Sequence, residues 1–320
     1  MTIRELAKKA GVSTATVSRV FSNSPLVSAE VRDRVLAIAK TYHYHPRIFS
    51  KFRNIVIFSP YKQVYPVQSY VEMVISELTH TLSLHDYRTE ILQMDLLEND
   101  LKLLNRFQFC GAVAIGAESS LFREWDSKFT APLILIDRKA PAKAEEVYSI
   151  RSDESQAMEL AVECFAQGKA KKIGTIIYGR KGEGSTLLRE EGLRKALLKH
   201  GYEASDSLIR FSLDDHYVET VGQLLKRGID ALFCPGGNAG LVASYALSLY
   251  DKRIPEDVAL IASERAVFSR YTTPPQTTIS QDYSVLAEKV AELLDARFNG
   301  EDCPRETILP YKLIRRASTK

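Results

Sequence analysis

The sequence contains few of the residues that build disulfide scaffolds, and no apolar run long enough for a membrane span. Its four cysteines, at positions 110, 164, 234 and 303, include no CxxC pair. Disulfides are rare in reducing compartments and zinc sites need clustered ligands, so we expect reduced cysteines that serve packing. No stretch reaches about 18 apolar residues, and the first residues form an amphipathic pattern rather than a signal region. We therefore expect a cytoplasmic protein without a membrane partner.

The motifs of common enzymes are also missing. Neither H-E-x-x-H nor G-x-S-x-G occurs, and the six histidines show no ligand spacing with cysteine. The stretch GRKGEGST at 179–186 has the glycine spacing of a phosphate-binding loop, but Ser185 stands where that loop needs lysine. We predict no catalytic activity, no cofactor and no metal site.

Charge is distributed unevenly along the chain. Residues 1–53 contain ten Lys or Arg and three Asp or Glu, whereas the remainder contains 33 basic and 37 acidic residues. A basic head on a mildly acidic body favours a polyanionic partner for the head. A solvated pair of amino-terminal helices would give the same counts.

The first 46 residues carry the pattern of three short helices. Thr2 and Glu5 form a capping box ahead of an apolar stripe, and Gly11 suits a left-handed helix stop. Ser13 is placed to cap a second helix, and a third begins near Ser28. A tight glycine turn between two short helices predicts a helix-turn-helix.

The second helix places small and hydroxyl side chains, with one arginine, opposite its apolar valines. These residues are Thr14, Ala15, Ser18 and Arg19. Small side chains let a helix enter the major groove, hydroxyls bind phosphates, and arginine pairs with guanine in a bidentate way. The alternative is an ordinary polar helix surface with a capping serine.

From Asn54 onward, strand-like apolar runs alternate with helical patterns, in two series that divide near Asp153. Alternating β and α segments predict parallel sheets with helices on both faces, here as two doubly wound lobes. Ligands of such folds bind at the carboxyl ends of the strands, so the cleft between the lobes is the default site.

The sequence TIRELAKKAGVSTATVSRVFSNSPLVSAEVRDRVLAIAKTYHYHP closely resembles the DNA-binding head of the LacI/GalR family of bacterial transcription regulators. The matching motifs are A-G-V-S-x-x-T-V-S-R-V, V-S-x-x-x-R-x-R-V-L and Y-x-P. In the body, PLILIDR, LLREEGLRKAL, IPEDVALIASE, TTPPQTTISQD and LPYKLIRRAST extend the resemblance over nearly the whole chain.

The resemblance implies an all-α head on a periplasmic-binding-protein-like core. It also implies a homodimeric, nucleoid-associated regulator, more often a repressor, that binds a double-stranded DNA operator. A small effector (a sugar, sugar acid or sugar phosphate) would control it. We expect three parts along the chain: a head at 1–46, a linker or hinge at 47–54 and a core at 55–320. The chain would cross between the two lobes of the core near 151–153, 281–283 and 309–311. Lobe 1 would then comprise about 55–152 and 282–309, and lobe 2 about 153–281 and 310–320.

By the same resemblance, two groups of head residues would contact DNA. Thr14, Ala15 and Arg19 would read bases, and Ser13, Thr16, Ser18 and Asn23 would hold phosphates. The linker departs from the family, being about half a dozen residues shorter and without its Ala/Leu pattern. Ile48, Phe49 and Phe52 lie on one side of a helical linker, where they would either wedge into the minor groove or pack on the body.

Seven residues carry over as effector contacts: Tyr61, Tyr65, Asp137, Ser185, Arg189, Glu264 and Gln281. Arg189 matches the family's ligand-clamping arginine, with a surface ion pair to Glu190 or Glu191 as the alternative. The tyrosines would stack on a sugar ring or only cover the cleft mouth.

Two positions depart from the family's ligand-binding pattern. Gly236–Gly237 replace its usual Asn-Asp, with Asn238, a possible helix cap, one position later, and Glu264 replaces an aspartate. These changes leave the chemical class of the effector open: it is an atypical sugar, a uronate or a phosphate ester. A protein that has lost its ligand response is a further alternative. A solute-binding protein and a ligand-independent regulator are the alternative functions.

Overall fold

The computed structural model describes the chain except residues 23, 25, 43, 45–52, 61–69, 95–100, 102–103, 105–106, 117–121, 183 and 214–215. It divides into two compact units. Unit 1 comprises Met1–Pro66, Val71–Arg151 and Tyr283–Ile308, and unit 2 comprises Val67–Tyr70, Ser152–Asp282 and Leu309–Lys320. Within the described part of the chain, no helix is both long and apolar enough to cross a membrane.

The head of unit 1 consists of α1 (Ile3–Ala10), α2 (Thr14–Phe21) and α3 (Ala29–Thr41). The hydroxyl of Thr2 accepts a hydrogen bond from the Glu5 amide, and the Glu5 carboxylate accepts one from the Thr2 amide at 2.7 Å, so both halves of the capping box form. Gly11 ends α1 in the left-handed conformation with φ 64°. Apolar side chains from all three helices form one core: Leu6, Ala7, Ala10, Val17, Val20, Phe21, Val35, Leu36 and Ala39.

The remaining elements alternate along the chain as the apolar patterns predict. They are β1 (Asn54–Ser59), α4 (Tyr70–Leu84), β2 (Arg88–Gln93), β3 (Gly111–Ile115), α5 (Trp125–Lys128), β4 (Leu133–Ile136), β5 (Val147–Ser152), α6 (Glu154–Gln167), β6 (Ile173–Tyr178), α7 (Ser185–Lys199), β7 (Ile209–Ser212), α8 (Tyr217–Lys226), β8 (Ala231–Cys234), α9 (Ala239–Leu249), β9 (Ala259–Ser263), α10 (Ala266–Tyr271), β10 (Thr277–Ser280), α11 (Tyr283–Phe298), β11 (Glu306–Leu309) and β12 (Lys312–Ile314).

Each unit is built around one six-stranded sheet. The strand order is β11-β5-β4-β3-β1-β2 in unit 1 and β12-β10-β9-β8-β6-β7 in unit 2. The central strands pair in parallel, whereas β12 runs antiparallel to β10 with Thr278 opposite Ile314. Strands such as β3 and β4 are buried along their whole length, as expected when helices cover both faces of a sheet. The predicted fold class of two doubly wound lobes behind a helical head is confirmed.

All four cysteines are free thiols, and Cys110, Cys164 and Cys234 are buried. Burial raises the pKa of the Cys110 and Cys234 thiols to about 12, so both are protonated at neutral pH. Cys110, just before β3, and Cys234, in β8, therefore act as small apolar side chains.

Candidate nucleic-acid interface and effector site

Helix α2 begins at a serine that caps it through its own hydroxyl. Ser13 Oγ accepts a hydrogen bond from the Thr16 amide at 3.0 Å, and the two hydroxyls lie 2.9 Å apart. One of the amides that would lack a partner at the helix start is thereby satisfied. Both hydroxyls keep hydrogen-bonding capacity, and Ser13 is exposed.

The outward face of α2 contains the predicted base-reading residues. Thr14, Ala15, Ser18 and Arg19 are all exposed. Val17 and Val20, on the opposite face, are buried in the head core. The Arg19 guanidinium makes no ion pair with any residue that the structure describes. A helix anchored on one face thus presents small side chains, hydroxyls and one unpaired cation on the other.

The segment after α2 is held by a buried arginine. Arg32 is only 5% exposed, and one of its guanidinium nitrogens donates to the Ser24 carbonyl at 3.0 Å. Burial lowers the pKa of Arg32. The Ser24 amide in turn donates to the Arg19 carbonyl at 2.8 Å. Arg32 therefore positions the carboxyl end of α2 instead of facing solvent.

Several predicted contacts lie outside the described residues. They are Asn23 in the head, Ile48, Phe49 and Phe52 in the linker, and Tyr61 and Tyr65 after β1. These assignments stay predictions.

In unit 2, the predicted clamp Arg189 lies in α7 and pairs with a carboxylate from α6. Its Nε and one Nη each donate to Glu154 at 2.9 Å, so the pair is bidentate. The side chains are 17% and 7% exposed respectively. The partner is Glu154 and not the neighbouring Glu190, which pairs with Arg194 at 2.8 Å.

Other groups at the carboxyl ends of the strands enclose this pair. The Tyr311 hydroxyl donates to Glu154 at 3.2 Å. The backbone of Gly236, just after β8, lies so close to the Arg189 guanidinium that a Cβ there would come within 2.6 Å of it. The Gly236 amide donates to Ser263 Oγ at 2.8 Å. Arg189 was predicted from the sequence, whereas no local pattern pointed to Glu154 or Tyr311 as its neighbours. Only the unusual Gly-Gly at 236–237 marked the close approach of the backbone.

Glu264 follows β9 and is paired within unit 2. Its side chain is 10% exposed, and its carboxylate pairs with Arg316 at 2.8 Å and accepts a hydrogen bond from the Thr278 hydroxyl. Arg316 also donates to the Gln276 carbonyl at 2.6 Å. The carboxylate is thus engaged in an internal network between β9, β10 and the segment after β12.

The other candidates occupy strand and helix ends. Ser185 is the first residue of α7, and Gln281 follows β10 and donates to Ser152 Oγ at 2.9 Å. Asp137 follows β4 in unit 1 with φ 56°, a left-handed conformation that few non-glycine residues adopt. Asn238 occupies the cap position of α9 but makes no capping hydrogen bond there. Its buried amide oxygen lacks a hydrogen-bond partner among the described residues.

A helix-turn-helix head on a chain with two doubly wound units is the architecture of a ligand-controlled, DNA-binding transcription regulator. Residues 2–47 match the family described as bacterial regulatory proteins, lacI family, and residues 162–319 match a periplasmic binding protein-like domain. The chain belongs to the LacI family of bacterial regulatory proteins.

Similarity to known regulators extends over the full chain. The HTH-type transcriptional repressor PurR of Pasteurella multocida (strain Pm70) is 27% identical, covering 100% of this chain and 98% of its own. The probable HTH-type transcriptional repressor ExuR of Bacillus subtilis (strain 168) is 24% identical, covering 97% and 95%.

Solved structures with the same fold include two full-length regulators. The transcriptional regulator CelR–cellobiose complex has a TM-score of 0.71 at 23% identity and covers 99% of both chains. The lac repressor dimer bound to operator and the anti-inducer ONPF has a TM-score of 0.69 at 20% identity, covering 100% of this chain and 99% of its own.

Proposed function

We propose that this chain is a sequence-specific DNA-binding transcription repressor that acts as a homodimer and whose operator affinity is controlled by a small molecule. The observation that carries the proposal is the outward face of α2, where Thr14, Ala15 and Arg19 are exposed on a helix fixed from behind by the head core. In this role these three residues read base edges. Ser13, Thr16 and Ser18 hold the phosphates that flank them.

The effector side of the proposal concerns the strand ends of unit 2. Arg189, Ser185 and Gln281 are the proposed contacts there, and Asp137, after β4, is a further proposed effector contact. A sugar or sugar derivative fits because an arginine suits vicinal hydroxyls, and the structurally similar CelR is in complex with cellobiose. Glu264, whose carboxylate pairs with Arg316, is a further proposed contact.

Selection from random duplex DNA tests the DNA-binding role. The full-length protein should enrich a pseudo-palindromic site, and its affinity should fall steeply between about 50 and 200 mM salt, as phosphate contacts require. Enrichment of no sequence, with or without added sugars, would refute the proposal.

Replacement of Arg19 tests how that site is read. Arg19→Ala should reduce discrimination at one base pair of each half-site by about 1–3 kcal/mol, because a bidentate contact to guanine is lost. Arg34→Ala is the matched control, since it removes an exposed arginine from α3. The control should weaken binding to all sequences equally or not at all. Equal losses on all sequences for Arg19→Ala would reduce its role to a phosphate contact.

A further inference from the structure

The ion pair between Glu154 and Arg189, at the strand ends of unit 2, bears on the charge of the effectors that the proposed site accepts. Glu154 and Arg189 are joined by two hydrogen bonds of 2.9 Å, and the Glu154 side chain is almost fully buried. Glu154 is the first residue of α6, where the helix dipole also stabilises a negative charge. The carboxylate therefore has a fixed position against the guanidinium.

We infer that Glu154 sets the charge selectivity of the effector site, so that the site accepts an uncharged polyhydroxylated molecule and rejects carboxylates and phosphates. The inference rests on the proposed function, because it concerns the effector of that regulator. It identifies Glu154 as a specificity-determining residue that occupies the bidentate edge of Arg189.

The hydrogen-bonding chemistry of the pair supports this selectivity. Glu154 already occupies the Nε and Nη edge of the guanidinium, which is one of its two edges suited to bidentate binding of an anion, and its carboxylate neutralises the arginine's charge. The anion would also meet the negative charge of Glu154 in a partly buried site, where like charges repel strongly. A hydroxyl avoids both problems, because it accepts from an arginine and donates to a carboxylate at once.

Anion binding by the full-length protein tests the inference, and the test does not require the natural effector to be identified. The probes are inorganic phosphate, D-glucuronate and D-galacturonate, with D-glucose and D-galactose as the uncharged counterparts of the two uronates. Binding is measured by isothermal titration calorimetry on the wild type, Arg189→Met, Glu154→Gln and Glu154→Gln/Arg189→Met. The matched control is Glu159→Gln, a change in the same helix. The Glu159 carboxylate pairs with Lys199 and not with Arg189.

The wild type and Glu159→Gln should show no binding of phosphate or uronate that depends on Arg189. Glu154→Gln should bind phosphate with an affinity higher by about tenfold or more, because the guanidinium edge is released from a charged partner. This gain in phosphate affinity should disappear in the double variant. That result would locate the bound phosphate at Arg189 rather than at the basic head.

Two results would overturn the inference. One is phosphate or uronate binding by the wild type that Arg189→Met abolishes, a result that does not depend on how Glu154→Gln folds. The other is an unchanged phosphate affinity in a Glu154→Gln protein whose circular dichroism spectrum matches the wild type. Failure to select any DNA sequence would instead refute the proposed function and would leave these titrations unaffected.

Discussion

Breaking the internal pair between Glu264 and Arg316 should destabilise unit 2 more than removing both charges together. In Arg316→Met, the Glu264 carboxylate stays buried with only the Thr278 hydroxyl as a donor among the described residues. One carboxylate oxygen already lacks a partner. An uncompensated buried charge costs about 3–5 kcal/mol, so we expect a loss in that range for each single change, Arg316→Met and Glu264→Met.

The double variant Glu264→Met/Arg316→Met should recover much of this loss. Replacing a buried pair with apolar side chains of similar volume is often close to neutral. Arg316 also donates to the Gln276 carbonyl and to Thr278 Oγ1, so a residual cost of about 1–3 kcal/mol should remain from those unpaired groups. The stability losses of the two single variants should therefore add up to more than the loss in the double variant. The difference is the coupling energy between the two residues, which we expect to be about 2 kcal/mol or more.

Urea denaturation measures the effect, with two signals that distinguish the units. Trp125 is the only tryptophan and lies buried in unit 1, so its fluorescence reports that unit, whereas far-ultraviolet circular dichroism reports both. With a urea dependence of about 2 kcal/mol per M, a loss of 3 kcal/mol lowers the midpoint by about 1.5 M. The reasoning fails if Arg316→Met and Glu264→Met unfold at the same urea concentration as the wild type.

Two further predictions concern unit 1. Thr2→Ala should destabilise the head by about 1 kcal/mol, because the hydroxyl that caps α1 through the Glu5 amide is lost, and chemical-shift changes in α1 would measure it. A hydrogen bond to Asp295, at 2.6 Å, raises the pKa of His85 above its ordinary value. That stabilisation is complete below the unfolded pKa and is lost as pH rises through the raised folded pKa. The urea midpoint of Trp125 fluorescence should therefore fall as pH rises above the ordinary imidazole pKa of about 6.5, and Asp295→Asn should flatten that dependence.

Local patterns predicted the head because each of its features is formed by neighbours in sequence. The Thr2 capping box, the left-handed Gly11 and the Ser13 cap all lie within three residues of their partners. The alternation of β and α segments in the body likewise predicted both sheets, since periodicity is a property of short windows.

Elements whose burial depends on distant partners escaped prediction. Strand β5, with the sequence VYSIRS, has no continuous apolar run, yet Ser149 and Ser152 are buried. Ser149 tolerates burial because its hydroxyl donates to the Arg138 carbonyl at 2.7 Å. Helix α5 spans only Trp125–Lys128, too short for a helical period to appear in the sequence.

The electrostatic partners at the effector site were unpredictable for the same reason. Consecutive residues on a helix point in different directions, so Arg189 and Glu190 do not face each other. Glu190 instead meets Arg194 one turn later, and Arg189 meets Glu154, 35 positions earlier, where α6 packs on α7. Only the tertiary packing of two helices determines that pairing.

The arginines of the head and of unit 2 have opposite electrostatic surroundings. Arg19 is exposed and has no ion-pair partner among the described residues, so its full charge is available to a polyanion. Arg189 and Arg316 are each paired with a buried carboxylate within unit 2. These four side chains together contribute no net charge to the strand ends, although two of them are arginines. Under the proposed function, a site of that kind would distinguish ligands by the placement of hydroxyls rather than by charge, whereas the head would gain affinity from charge before it reads any base.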